Sequence, residues 1–350
     1  MSKASTTTPA HTAFQALPVV DVAGLGSDDP ALRKQAAAAL GDAARSAGFL
    51  YITGHGIAPA IIERFRMRAC EFFAQSPAVK MQSYIGLSQN HSGYVPEGEE
   101  QLYGSVVPDR KEAYDVNFDM RDPAYQRPML GPNQWPALPG FREDVEAYYQ
   151  AAFELGNRLF RGFALALGLP EDRFTRLVQR PPTQLRLIHY PHDDRVNPAA
   201  AGIGAHTDYE CFTILLPTAP GLEVMNGAGQ WIDVPLVQDA FVINIGDMLE
   251  ILSNGEFVAT AHRVRKVAEE RYAFPMFCNV DYDVVVEPLA ELLVDGTPPR
   301  YTSQICGEHL FAQTAQTFAY LKRRLESGEI TLPKGSLALS SFGPKVRAGS

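Results

Sequence analysis

The spacing of apolar and polar positions changes character along the chain. LPVVDVAGL (residues 17–25) predicts a short strand, and ALRKQAAAALGDAARSAG (31–48) has the Ala and Leu spacing of an amphipathic helix closing at Gly48. FLYITGHGI then predicts a second strand with a glycine turn, and a helix is expected from about Ile61 to Ala74. The polar, glycine-bearing SQNHSGYVPEGEEQLYG predicts a loop of the long kind that often serves function. Residues 141–168 carry the longest helical pattern, with Tyr148, Ala152, Leu155, Leu159, Phe163 and Leu167 at steps of three or four before Gly168 and Pro170 stop it. From Thr183 to about Leu289 the texture turns to short β-like runs between turns: LRLIHYP, CFTILLP, GLEVM, QWIDVP, AFVINIG, HRVRKV and RYAFPMFCNV. That spacing predicts an antiparallel sandwich or barrel. GDM and SNG within this stretch predict turns, the first leading into a short helix, and 303–328 predicts one closing helix. The expected class is α+β: a disordered stretch 1–16, a mixed helix and strand region 17–125 packed on the core, and a β core with supporting and C-terminal helices over 126–350.

Composition narrows the partners. With 350 residues, 46% of them hydrophobic, the chain can bury a substantial core. A formal charge of -9 and a pI near 5.4 give no footprint for nucleic acid or an anionic membrane, which leaves a small molecule as the expected partner. Cys70, Cys211, Cys278 and Cys306 lie far apart with no CxxC pair, which argues for a reducing cytoplasm over a disulfide scaffold. No run of about 18 or more apolar residues predicts a membrane span, and the first residues lack the apolar core of a signal peptide. The pattern does not predict an oligomeric state.

The candidate chemistry lies in the β-like region. In GAHTDYE a strand would point His206 and Asp208 to one side, and His262 in TAHRVRK is the candidate third ligand, brought back by the intervening strands. Two His and one carboxylate on one face of a metal make the facial triad of non-haem iron(II) oxygenases, with zinc as the other candidate metal. On residue types alone, a capping Asp beside a hydrogen-bonded His is the plainer reading of this tripeptide. Arg271 in ERYAFPMF leads into an apolar run where an unpaired charge is costly to bury. Taken alone it reads more simply as one partner of a strand-to-strand ion pair or as plainly exposed at the strand entrance, and otherwise as a fork for a co-substrate carboxylate. In LRLIHYP, alternation puts Arg186, Ile188 and Tyr190 on one face and Leu185, Leu187 and His189 on the other. Tyr190 is a core aromatic or a ligand contact, and a surface ion pair is the plainer reading of Arg186.

Together these stretches resemble the isopenicillin N synthase-like family of iron(II) and 2-oxoglutarate-dependent oxygenases. The likeness runs through LPVVDVAGL, AGFLYITGHGI, GYVPEGEE, DRKEAYDVNFD, GAHTDYECFTILL, GDMLEILSNGEFVATAHRV and ERYAFPMFCNVDYDVVVEPL. It implies a double-stranded β-helix, or jelly roll, with His206, Asp208 and His262 as iron ligands. Arg271 is then the residue that takes the distal carboxylate of 2-oxoglutarate, and Tyr190 lines that pocket. The family's usual Arg-x-Ser is here Arg271, Tyr272 and Ala273, similar to its ethylene-forming branch. The implied activity is a dioxygenase, an oxidoreductase using Fe(II), 2-oxoglutarate and O2, with ascorbate as a candidate reductant. It would release succinate and CO2 while hydroxylating, desaturating or cyclising a small organic substrate. A 2-oxoglutarate-independent iron oxidase, an ethylene-forming enzyme and a non-catalytic jelly-roll module are the alternatives. Tyr94, Lys111 and Glu112 lie in regions that flank the family's substrate pocket and read more simply as structural residues.

Overall fold

The computed structural model describes residues 12–101, 111–192, 201–265, 269–294 and 296–334. The strands are β1 (Val19–Asp21), β2 (Phe49–Thr53), β3 (Gly93–Val95), β4 (Glu112–Asn117), β5 (Gln184–Tyr190), β6 (Ala201–His206), β7 (Phe212–Pro217), β8 (Leu222–Met225), β9 (Trp231–Asp233), β10 (Phe241–Ile245), β11 (His262–Arg265) and β12 (Arg271–Cys278). An eight-stranded sheet has the order β1-β2-β10-β7-β12-β5-β4-β3, and a four-stranded sheet the order β6-β11-β8-β9. All their pairings are antiparallel except β1 with β2. The two sheets face each other across an apolar layer: Phe49, Tyr51 and Val242 of the large sheet meet Leu222, Val224 and Val264 of the small one. This is the jelly roll, with strands from the N-terminal region at both edges of its large sheet.

The helices are α1 (Pro30–Ser46), α2 (Pro59–Phe73), α3 (Pro77–Lys80), α4 (Phe141–Ala166), α5 (Asp247–Leu252), α6 (Cys306–Thr317) and α7 (Ala319–Glu326). Asp29 caps α1 by accepting from the Ala31 amide at 2.8 Å, with Pro30 preset for the first turn. Gly48, at φ 64°, ends that segment where a Cβ would lie 2.0 Å from the Val258 carbonyl oxygen, so only glycine fits. Helix α4 buries Val145, Tyr148, Ala152, Leu155, Leu159 and Phe163 along one stripe, the i, i+3, i+4 pattern of its sequence. That stripe lies on the outer face of the large sheet with Leu185, Leu187, Phe274 and Met276, each fully buried side chain contributing about 1.5–3 kcal/mol.

Three expectations are corrected. Residues 12–16 of the stretch expected to be disordered are tied down, while 1–11 lie outside the described residues. The Thr12 amide and hydroxyl both donate to the Ser46 carbonyl, and Asn226 Nδ2 donates to that of Phe14. The expected closing helix is two helices, broken at an extended Phe318 (φ -95°, ψ 128°). No glycine or proline marks this break. Tertiary bonds make it, because the amides of Ala319 and Tyr320 turn away from α6 to donate to the Glu99 carbonyl (2.8 Å) and Glu99 Oε1 (2.6 Å). The polar stretch expected to be a loop contains β3, which pairs with β4.

Candidate metal centre

Strands β6 and β11 pair with His262 directly opposite His206, which sets the two rings 4.3 Å apart by centroid. Contrary to the strand alternation expected for HxD, the chain leaves β6 at His206, so Asp208 reaches the same point from the turn beyond it. That turn is pinned from the α5 side, where the Asp247 amide donates to the Asp208 carbonyl at 2.8 Å. Gly246 makes the approach possible, since a Cβ there would sit 2.2 Å from the Glu210 carbonyl oxygen.

The three side chains present one donor atom each, all within 4.8 Å of one another. Asp208 Oδ1 lies 3.6 Å from His206 Nε2 and 3.5 Å from His262 Nε2. Its Oδ2 is occupied, accepting from the Thr213 hydroxyl and from Asn244 Nδ2 at 2.7 Å. His206 Nδ1 donates to the Gly204 carbonyl at 2.8 Å, and His262 Nδ1 faces the Thr260 carbonyl at 3.4 Å. A carbonyl only accepts, so these contacts keep the proton on Nδ1 and leave the Nε2 lone pair turned inward. Burial alone would raise the Asp208 pKa, but the two imidazoles and the bonds from Thr213 and Asn244 outweigh it and hold the carboxyl below its ordinary range. Burial, and then His262, push His206 down to about 4, so its ring is neutral at pH 7. Two imidazoles and a carboxylate are the donor set that suits iron(II).

Arg271 opens β12 opposite Tyr190 of β5, its guanidinium 4.9 Å over the Tyr190 ring. Only 2% of it is exposed, and neither Nε nor Nη1 has a hydrogen-bond partner among the described residues. The strand-to-strand ion pair weighed for it is absent from the described contacts. Ala273, two residues on, lies in the apolar cluster with Ile188, Tyr190, Leu215 and Phe318.

Arg186, unlike Arg271, has its guanidinium donors taken by protein. Nε and Nη2 bind Asp115 Oδ1 and Oδ2 at 2.9 and 3.2 Å, and Nη1 binds Glu100 Oε1 at 2.9 Å. Lys111 Nζ holds Glu100 Oε2 at 3.1 Å. The expected surface ion pair is therefore a buried quartet of two cations and two carboxylates. Burial alone would raise Glu100, but Arg186 and Lys111 bring it down to about 2. The charges of the quartet reach the metal centre through space: Lys111 contributes to lowering the His206 pKa, and Glu100 and Arg186 act on Tyr209, next to Asp208. Of the three flanking residues, only Lys111 belongs here. Glu112 and Tyr94 join Lys80 and His189 in a separate network, where Glu112 Oε2 takes Lys80 Nζ and the Tyr94 hydroxyl, both at 2.6 Å. Asp115 went unseen in the sequence because its strand did, although its pairing opposite Arg186 follows once β4 is in register. Thr213 and Asn244 gave no signal, sitting at polar positions in apolar runs.

A jelly roll with two histidines and a carboxylate converging between its sheets defines the class of mononuclear non-haem metal oxygenases. Comparison with known proteins carries this further. Residues 17–138 match the family described as non-haem dioxygenase in morphine synthesis N-terminal, and residues 182–280 match the 2OG-Fe(II) oxygenase superfamily. The chain is 34% identical to a homoarginine-6-hydroxylase of Arabidopsis thaliana, over 88% of this chain and 99% of that protein. It is 36% identical to the 2-oxoglutarate-dependent dioxygenase caaD of Aspergillus niger, over 76% and 85%. Among solved structures, T7H of Neurospora crassa in complex with alpha-KG and thymine superposes with a TM-score of 0.77 at 25% identity, covering 88% of this chain and 99% of that one. A 2OG-Fe(II) oxygenase family protein from Caulobacter crescentus gives 0.75 at 30%, covering 90% and 99%. The chain belongs to the iron(II) and 2-oxoglutarate-dependent oxygenase superfamily, and it is a dioxygenase whose cofactor is iron(II) and whose co-substrates are 2-oxoglutarate and dioxygen. No helix among the described residues is long and apolar enough to cross a membrane.

Proposed function

We propose that His206 Nε2, Asp208 Oδ1 and His262 Nε2 hold the iron, that Arg271 anchors the far carboxylate of 2-oxoglutarate, and that the substrate is a small charged molecule of the basic amino-acid class. The observation that carries the co-substrate assignment is the Arg271 guanidinium, buried with Nε and Nη1 unpartnered among the described residues. A buried cation without an acceptor is costly unless a ligand supplies one, and a carboxylate fits its fork. Iron(II), when bound, supplies the oxidative chemistry, coupling the decarboxylation of 2-oxoglutarate by dioxygen to oxidation of the substrate.

The chain's own residues hold these parts in place. Thr213 and Asn244 occupy Oδ2 of Asp208, so the carboxylate offers a single oxygen to the metal. The carbonyls of Gly204 and Thr260 orient the imidazoles so that both Nε2 atoms would be free to hold the iron. Tyr190 fixes the guanidinium plane from below.

For the substrate, the support is the quartet of Arg186, Asp115, Glu100 and Lys111, whose charges reach His206 and Tyr209. A wall bearing both signs leaves charges desolvated against an apolar ligand, whereas a molecule carrying an ammonium or guanidinium and a carboxylate exchanges ion pairs with it. The homoarginine-6-hydroxylase relatives make hydroxylation of such a molecule the leading reaction. The test is succinate formation with iron(II) and ascorbate across homoarginine, arginine, lysine, thymine and an apolar carboxylic acid. A basic amino acid should stimulate turnover; stimulation by thymine or the apolar acid alone would exclude this substrate class.

A further inference from the structure

The segment 99–101, which carries Glu100, is docked against the break between α6 and α7. Glu100 and Phe318 form an isolated antiparallel bridge, flanked by the bonds from the Gln101 amide to the Thr317 carbonyl (2.9 Å) and from the Ala319 amide to the Glu99 carbonyl (2.8 Å). Glu99 Oε1 caps the first turn of α7 through the Tyr320 amide at 2.6 Å, favourable because that end of a helix carries positive potential. The Phe318 side chain points from the break onto the quartet, its ring 5.3 Å from Arg186 Cζ and 4.3 Å from the His91 ring. His91 Nδ1 in turn bonds the Tyr320 hydroxyl at 2.6 Å. One residue out of helical conformation thus touches both the backbone that carries Glu100 and the guanidinium that Glu100 binds.

We infer that Phe318 is a positioning residue for substrate: by clamping segment 99–101 and packing its ring on Arg186, the α6–α7 break fixes the placement of the Glu100–Arg186 pair. The inference rests on the substrate reading above only for its kinetic arm. Arg186 has its charge satisfied by Asp115 and Glu100, so the ring's part is to fix the plane of the guanidinium and the placement of Glu100. A contact of this kind between desolvated groups corresponds to about a tenfold change in an equilibrium. Losing it should therefore act on substrate binding alone.

The test uses the full-length iron-loaded protein and the variants Phe318→Leu, which keeps apolar bulk without the ring, and Phe318→Tyr, which keeps the ring. For Phe318→Leu, basal succinate formation and the KM for 2-oxoglutarate should stay within about twofold of the parent, while the homoarginine concentration for half-maximal stimulation rises about tenfold. Hydrogen exchange at the Gln101 and Ala319 amides should quicken about tenfold with exchange in β5 and β12 unchanged, and Phe318→Tyr should restore both readouts. A parallel rise in the KM for 2-oxoglutarate, or an unchanged homoarginine response, would overturn the positioning role. If homoarginine fails to stimulate the parent enzyme, the substrate reading falls by itself, and the exchange at Gln101 and Ala319 decides the clamp: unaltered exchange in Phe318→Leu overturns it.

Discussion

Replacing Arg271 by methionine should weaken co-substrate binding and stabilise the empty protein at the same time. The guanidinium is 2% exposed, Nε and Nη1 have no acceptor among the described residues, and the Tyr190 ring at 4.9 Å offers partial compensation. Exchanging a poorly satisfied buried ion for an apolar side chain of similar length gains about 1–4 kcal/mol, against which the lost cation–π contact counts about 0.5–2 kcal/mol. The net is about 1–2 kcal/mol, or a rise of a few degrees in Tm. With ligand, two charge-assisted hydrogen bonds to a carboxylate disappear, about 3–4 kcal/mol, so 2-oxoglutarate affinity should fall about 10²- to 10³-fold. The order of melting temperatures should then invert. Without 2-oxoglutarate the variant melts higher; with iron(II), no dioxygen and 2-oxoglutarate at about 100 times the parent's Kd, the parent gains about 2.7 kcal/mol and overtakes it. Calorimetric titration and thermal melts of both proteins suffice. A variant that binds 2-oxoglutarate within threefold of the parent, or an apo variant that melts several degrees lower, would refute the assignment.

Ala273→Ser should place a hydroxyl on the same face as Arg271 and lower the KM for 2-oxoglutarate by about two- to a hundredfold, the range from a neutral to a charge-assisted hydrogen bond; a higher KM with lower Tm would mean the hydroxyl finds no partner there. Asn244→Ala removes one of the two donors on Asp208 Oδ2 and should reduce iron affinity about 10- to 100-fold in a competitive chelator titration, with the fold intact by circular dichroism. His309 is buried with Nδ1 unpartnered among the described residues, and burial pushes it down to about 4. The folded state therefore binds fewer protons than the unfolded chain between its pKa and about 6.5, so this residue costs stability progressively as pH falls through that window. His309→Leu should show a stability gain over the parent that grows from pH 7 to pH 4 by on the order of 3 kcal/mol; parallel urea-denaturation profiles at the two pH values would contradict this.

The parts of the site that were legible in the sequence are those fixed by strand register. His262 faces His206 and Arg271 faces Tyr190 because β11 and β12 return along their partners, and an alternating apolar pattern announces such strands. Arg186 and Tyr190 share the inner face for the same reason. What stayed hidden depends on tertiary contacts. Asp208 converges on the histidines from a turn pinned by the Asp247 amide, and period-two alternation only mimics the outcome. Arg186 is charge-neutralised by a residue of β4 and a residue of a distant loop, neither of which its own neighbours in sequence foretell. The break at Phe318 violates a continuous helical pattern because Glu99 offers the amides of α7 better partners than another helical turn would.

The large sheet has a consequence for recombining this enzyme with its relatives. The strands that match the superfamily region 182–280 sit in its middle, while β1 and β2 flank them on one side and β4 and β3 on the other. A crossover placed between the two matched regions would graft foreign edges onto both sides of a native centre. Shuffling for new substrates is better done by exchanging segment 99–101 and the α6–α7 break as one paired cassette, which touches the wall we propose faces substrate and leaves every sheet seam parental.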